Sequence, residues 1–105
     1  VVLGYKAMGI AKAALDSTGR YLAAELGPAN IRVNLLSLGP ARTMAARGIP
    51  MFLDMLKHAE QQSPLRRNVD PIDAGNAAVF LCSDLGRNVT GEILHVDAGF
   101  NAIAY

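Results

Sequence analysis

The chain has 105 residues, 51% of them hydrophobic, with ten Lys and Arg against nine Asp and Glu. That length fits one domain or part of one, and that composition excludes a disordered tail. Near-neutral charge gives no nucleic-acid footprint, and no apolar run reaches the ~18 residues of a membrane span. The single cysteine, Cys82, excludes an internal disulfide framework and suits a reducing compartment such as the cytoplasm.

The opening VVLGYKAM has neither an initiator Met nor the basic-then-apolar layout of a signal peptide. From Tyr5 to about Leu26 the chain is rich in Ala and poor in β-branched residues, which predicts a helix. Gly27-Pro28 stops it. Gly19 inside the helix costs roughly 1 kcal/mol relative to Ala, so it either admits a close neighbour or marks a weak spot. Ile31 to Ser37 (IRVNLLS) predicts a short strand buried on both faces, ended by Gly39-Pro40. From Thr43 to about Gln62 the apolar residues Ala45, Ile49, Phe52, Met55 and Leu56 fall at helical spacing. Gly48-Ile49-Pro50 interrupts them, which predicts two short helices or a mobile lid.

Asp70-Pro71-Ile72-Asp73 is a strong helix start, with a capping Asp, Pro at the first position and a second acid in the first turn. The helix runs through Ala77, Ala78, Phe80 and Leu81 and ends near Ser83. Glu92 to Asp97 (EILHVD) alternates as a strand does and stops at Ala98-Gly99. Two strands joined through helical chain are expected to be parallel, with a right-handed crossover. Two strands alone make too small a sheet to be stable. The expected fold class is therefore α/β: residues 1–105 as the C-terminal part of a doubly wound, Rossmann-like parallel sheet whose N-terminal strands are missing.

Tyr5 and Lys12 stand seven residues apart, nearly two helical turns, and so share one face about 10 Å apart along the axis. Met8 lies between them and offers an adaptable apolar contact. One molecule lying along the helix would meet a phenol at one end and an ammonium at the other. A half-exposed Tyr and a solvated Lys would show the same spacing, so spacing alone does not decide. Other candidates are weaker. His95 and Asp97 point the same way on a strand, and Ser37 or Ser83 has no Gly-x-Ser-x-Gly elbow around it. His58, His95 and Cys82 form no metal-ligand pattern, so no metal is expected. Arg66-Arg67 reads as a solvated turn or as a partner for phosphate or carboxylate.

Taken together, YKAMGIAK (5 to 12), SLGPART (37 to 43) and FLCSDLGRNVTGEILHVDAGF (80 to 100) resemble the short-chain dehydrogenase/reductase superfamily, and YKAMGIAK, GPARTMAARGI and SPLRR together point to one branch of it. The superfamily's commoner members place Tyr four residues before Lys, where this chain has Met8. Tyr-x-x-Met-x-x-x-Lys followed by Gly-Pro-x-x-Thr-x-Ala-Ala resembles instead the NADH-dependent enoyl-acyl-carrier-protein reductases of bacterial and plastid fatty-acid synthesis.

That resemblance implies reduction of the C2=C3 bond of a trans-2-enoyl thioester on acyl carrier protein, with NADH as cofactor and NADPH not excluded. It implies that Tyr5 meets the thioester carbonyl and that Lys12 holds the nicotinamide ribose. Ala41, shaped by Gly39 and Pro40, would hold the carboxamide, and Thr43 would lie near the pyrophosphate. Met8, Ala45, Ala46, Ile49, Phe52 and Met55 would line the acyl chain, within a substrate-binding loop at about 43–62. A homotetramer is implied, with subunits packing along Ala7, Ala11, Ala14 and Thr18, and a location in the bacterial cytoplasm or plastid stroma.

Two departures stand out. The basic residues expected at the outer end of the loop are replaced by Pro50, Leu53 and Asp54, leaving Arg47 and Lys57 to meet the carrier protein. The ten glycines include no Gly-x-Gly pair, so the dinucleotide fingerprint is absent from this stretch. Two alternatives remain beside the enoyl reductase: a superfamily member reducing a carbonyl, and a non-catalytic fragment with packing contacts only. Met8 in place of the usual Tyr argues against the first.

Overall fold

The computed structural model describes residues 5–41 and 51–103. Helix α1 runs Lys6–Leu26, with Tyr5 at its cap position, and closes through a 3-10 turn at Gly27–Ala29. Strand β1 (Leu35–Leu38) follows, then α2 (Phe52–Gln62), α3 (Pro71–Cys82) and β2 (Ile93–Val96). Of the helical stretch expected from Thr43, the part over Phe52–Gln62 is a helix, and the Gly48–Pro50 interruption lies outside the described residues.

The helix expected after Asp70 forms for the reason the sequence indicates. The Asp70 carboxylate accepts from the Ile72 N–H at 3.1 Å, and Asp73 Oδ2 accepts from the Asp70 N–H at 2.9 Å. This reciprocal cap satisfies donors that a helix start leaves orphaned, and Pro71 gives up none.

The strands are parallel, with Leu35 opposite Ile93 and Leu38 opposite Val96, and they form a two-stranded sheet. The first strand is shorter than the Ile31–Ser37 expected and shifted toward the C-terminus. Side-chain bonds, with one backbone bond from the Gly91 N–H to the Val33 carbonyl at 2.7 Å, tie residues 32–34 to their neighbour. The Val33 N–H donates to Thr90 Oγ1 at 3.1 Å, and Arg32 Nη1 donates to the Val89 carbonyl at 3.2 Å. Asn34 bridges both ways, its amide nitrogen donating to the Val89 carbonyl at 2.8 Å and its oxygen accepting from the Glu92 N–H at 3.2 Å. Burial on both faces is not observed either. Leu35, Leu36 and Ser37 are half-buried and Leu38 is exposed, because among the described residues β1 pairs along one edge only. Helix α3 packs across both strands and buries Leu81.

Gly19 proves to be a site of close approach. A Cβ placed there would overlap Leu35 Cδ1 and stand 3.0 Å from Leu35 Cγ. One turn on, the Ala23 methyl lies 3.5 Å from where a Cβ of Gly91 would be, and the Gly91 N–H bonds the Val33 carbonyl. Moving along α1 from Gly19 to Ala23 therefore moves back along β1 from the level of Leu35 to that of Val33. The helix runs antiparallel to the strands. Their ladder continues past β1, where the Gly39 N–H donates to the Val96 carbonyl at 3.0 Å.

Buried apolar side chains among the described residues are few: Ala23, Leu56, Ala59, Val69 and Leu81. Large apolar side chains stay exposed on α1 (Ile10, Leu15, Tyr21) and α3 (Ile72, Val79, Phe80). No helix among the described residues is long and apolar enough to cross a membrane.

Two outcomes are expected. Gly19→Val should cost about 1–3 kcal/mol of stability, because the added methyls must displace Leu35, read as a lower midpoint in urea unfolding. The 105 residues alone should give a broad transition and rapid proteolysis, since a sheet of two strands with so small a core lies below what independent stability needs. A cooperative, protease-resistant monomer would contradict that.

Candidate active site at the carboxyl end of the strands

The antiparallel docking of α1 carries a consequence for its first turns. Residues 12 and 19 are seven apart, so they differ by only about 20° and Lys12 shares the strand-facing line of Gly19, about 10 Å up the helix. Tyr5 precedes Lys6, whose φ of +48° takes the chain off the helical path, so the helix line does not fix where Tyr5 stands. Strands rise about 3.3 Å per residue, which puts the Lys12 backbone level with about Leu38, at the carboxyl end of β1, where Gly39, Pro40 and Ala41 leave the strand. In open parallel sheets this end is where ligands bind.

Tyr5 is half-buried, with its ring edge Cδ1 3.7 Å from where a Cβ of Gly9 would stand, one turn along α1. That is an ordinary van der Waals distance, so an alanine at position 9 would also admit the ring. Met8 and Lys12 are exposed. Gly39 is held tightly: a Cβ there would come within 3.1 Å of both Asp97 Cα and Val69 Cγ2. Its smallness lets the chain beyond β1 press against the end of β2.

The end of β2 is itself a built turn. Strand β2 stops at Val96, so Asp97 lies just beyond it and does not share a strand face with His95 as expected. Asp97 Oδ1 accepts from the Gly99 N–H and Oδ2 from the Asn101 N–H, each at 2.9 Å. Both carboxylate oxygens are engaged in shaping the turn.

Phe52 and Met55 are half-buried on α2, with Leu56 and Ala59 buried below them on neighbouring positions. At the end of α2, Ser63 is 1% exposed and its hydroxyl donates to the Arg67 carbonyl at 3.3 Å. The substrate-side candidates Ala45, Ala46 and Ile49, and the cofactor-side candidate Thr43, lie outside the described residues.

A separate cleft of about 460 Å³ opens beside β2, among Arg67, Asn68, Asp73, Asn76 and His95. It contains the weaker candidates Arg67, His95 and Asp97 but none of the residues that the family resemblance assigns to cofactor or substrate. Asn68 Oδ1 is buried there with no hydrogen-bond partner among the described residues.

Sequence reasoning passed over Asn34, Asp97 as a turn-builder, and Ser63. The polar residue inside a strand-like run (Asn34) and Asp two residues before Gly (Asp97) were the available signals.

Comparison with known proteins adds to this geometry. A family model described as enoyl-(acyl carrier protein) reductase matches residues 1–101. The enoyl-(acyl-carrier-protein) reductase (NADPH) FabI of Staphylococcus aureus strain MRSA252 is 52% identical over 102 residues, covering 97% of this chain and 40% of its own. The enoyl-(acyl-carrier-protein) reductase (NADH) FabI of Bacillus subtilis strain 168 is 52% identical over 104 residues, covering 99% of this chain and 40% of its own. Among solved structures, the Bacillus cereus enoyl-acyl carrier protein reductase with NADP+ and indole naphthyridinone superposes with a TM-score of 0.97 at 47% identity. It covers 100% of this chain and 41% of its own. The chain thus spans about 40% of the length of the curated relatives it matches.

Asp97→Ala should destabilise the protein by about 2 kcal/mol, the scale of hydrogen bonds to a charged group, read as a lowered denaturation midpoint. Asp97→Asn should recover part of this, since one amide oxygen still accepts.

Proposed function

We propose, from the premise that this chain belongs to the enoyl-(acyl carrier protein) reductase family, that it is the C-terminal portion of a reductase of the C2=C3 bond of trans-2-enoyl thioesters carried on acyl carrier protein. What supports the proposal is the family match over residues 1–101, together with the docking of α1 through Gly19 on Leu35, which turns the Lys12 line toward the carboxyl end of the parallel strands.

The residues present fit the nicotinamide end of a dinucleotide. Lys12 offers three N–H donors for the ribose hydroxyls, and the backbone at Ala41, with Gly39, Pro40 and Thr43, offers polar groups for the carboxamide and phosphate side. The absence of a Gly-x-Gly pair leaves the other end to residues ahead of this chain. When bound, the reduced nicotinamide supplies the hydride that adds to C3 of the enoyl thioester.

Tyr5 then acts where charge develops. Its hydroxyl donates to the thioester carbonyl oxygen, and that bond strengthens as the oxygen becomes enolate-like, which is the condition for lowering a barrier rather than only binding tightly. The Lys12 charge favours the same oxygen. Met8 fills the space between the two polar groups. Phe52 and Met55 would form a wall for the acyl chain, to which the family resemblance adds Ala45, Ala46 and Ile49.

The relatives from S. aureus and B. subtilis are equally similar over this stretch and carry different cofactor names, NADPH and NADH. This supports either nucleotide here, with the choice made by residues that bind the adenosine ribose. The reaction belongs in the cytoplasm. Subunits of a homotetramer would pack along the small face of α1 (Ala7, Ala11, Ala14, Thr18), beside which Ile10 and Tyr21 are exposed.

In the full-length reductase, Tyr5→Phe should lower kcat by about tenfold or more, since one charge-stabilising donor is removed. Lys12→Ala should raise the KM for the nucleotide. Both are measured by loss of nicotinamide absorbance with crotonyl thioester, with acetoacetyl thioester as the carbonyl comparison. Unchanged kinetics in both variants, or faster reduction of acetoacetyl than crotonyl thioester, would overturn the assignment.

A further inference from the structure

Helix α2 is held at one end by a part of the chain distant in sequence. The turn after β2 meets α2 and the residues just after it through three contacts. The His58 ring stands edge-on to Phe100, with ring centroids 5.9 Å apart and planes at 78°. That arrangement is the favoured one for aromatic pairs. Pro64 packs on Gly99, which has φ of +84°; a Cβ there would lie 2.9 Å from Pro64 Cγ. The Leu65 N–H donates to the Ala98 carbonyl at 3.2 Å. Asp97 holds the whole turn in shape through the Gly99 and Asn101 N–H groups.

His58 and Met55 are three residues apart, and Phe52 is a further turn back, so the ring on Phe100 and the acyl-wall side chains belong to one short rigid rod. A rod of that length transmits a shift at its seat to its far end.

We infer that the turn at residues 97–102 is the seat of the acyl-chain wall, with Phe100 acting through His58 as a positioning residue for Phe52 and Met55. Phe100 touches neither the reacting atoms nor the cofactor in this role. It sets where the apolar wall stands, and so how well longer acyl chains are held. The inference rests on the enoyl-reductase reading for its substrate and on the structure alone for its seat.

The test uses the full-length reductase with Phe100→Ala, Phe100→Leu and Phe100→Tyr. Phe100→Ala should raise the KM for dodecenoyl thioester about tenfold, the scale set by displacing a binding wall by an ångström or less, with kcat nearly unchanged. The KM for crotonyl thioester should rise less, because a four-carbon chain reaches less of the wall, and the KM for nucleotide should stay constant. Phe100→Tyr keeps the ring and should restore wild-type values. Phe100→Leu keeps apolar volume without the ring and should fall between them, giving a readable variant if Phe100→Ala folds poorly.

Hydrogen exchange of the α2 amides is measured on the same variants. It should quicken over residues 52–62 in Phe100→Ala and not over α1. A lowered Tm with unchanged chain-length dependence, or α2 exchange equal to wild type, would overturn the inference. If the wild-type protein reduces no enoyl thioester, the enoyl-reductase reading fails, and the exchange measurement still decides the seat.

Discussion

The docking of α1 on the strands depends on one absent side chain. Because Gly19 has no Cβ, α1 can settle onto Leu35 at the start of β1, closer than any other residue would permit. This contact and that of Ala23 with Gly91 fix both the direction of the helix and its height against the sheet. With the direction and height set, the seven-residue spacing carries the Lys12 backbone up the same line toward the carboxyl end of the strands, where the proposed site lies. The weak spot and the close neighbour, alternatives from sequence, resolve into the close neighbour. The helix-propensity cost of about 1 kcal/mol at Gly19 is accepted where it lets α1 dock closely on the sheet.

A second constraint holds the two strand ends together. At their amino ends the strands are joined by Asn34, Arg32 and Thr90, whose side chains bond the backbone where the ladder has not begun. At their carboxyl ends Gly39 presses on Asp97 and Val69, and Asp97 shapes the turn that follows. Polar side chains tie one end and close packing the other. The pair holds one register although it is only four residues long in each strand. The chemistry proposed for Tyr5 and Lys12, and the seat proposed for α2, both stand on this carboxyl end.

Legibility from sequence followed the range of the interaction. The start at Asp70-Pro71-Ile72-Asp73 was readable because a cap and its partners lie within three residues of one another. The end of α1 at Gly27-Pro28 was readable for the same reason. Strand β1 was misplaced by several residues, because what excludes residues 32–34 from the ladder is bonding to Val89, Thr90 and Glu92, more than fifty positions away. Asp97 was grouped with His95 on a strand that in fact ends one residue earlier, since the decision belongs to the N–H groups of Gly99 and Asn101.

The sequence by itself determined the class of the fold, the helix limits set by caps and breakers, and the Tyr5–Lys12 spacing that marks the family. These depend on local chemistry and on periodicity, which a single chain displays. Only the tertiary structure decided which way that face of α1 points, how far up the strands it reaches, and that α2 rests on a turn some forty residues downstream. Those outcomes depend on contacts between distant segments (Gly19 with Leu35, His58 with Phe100), and no pattern within either segment encodes its partner.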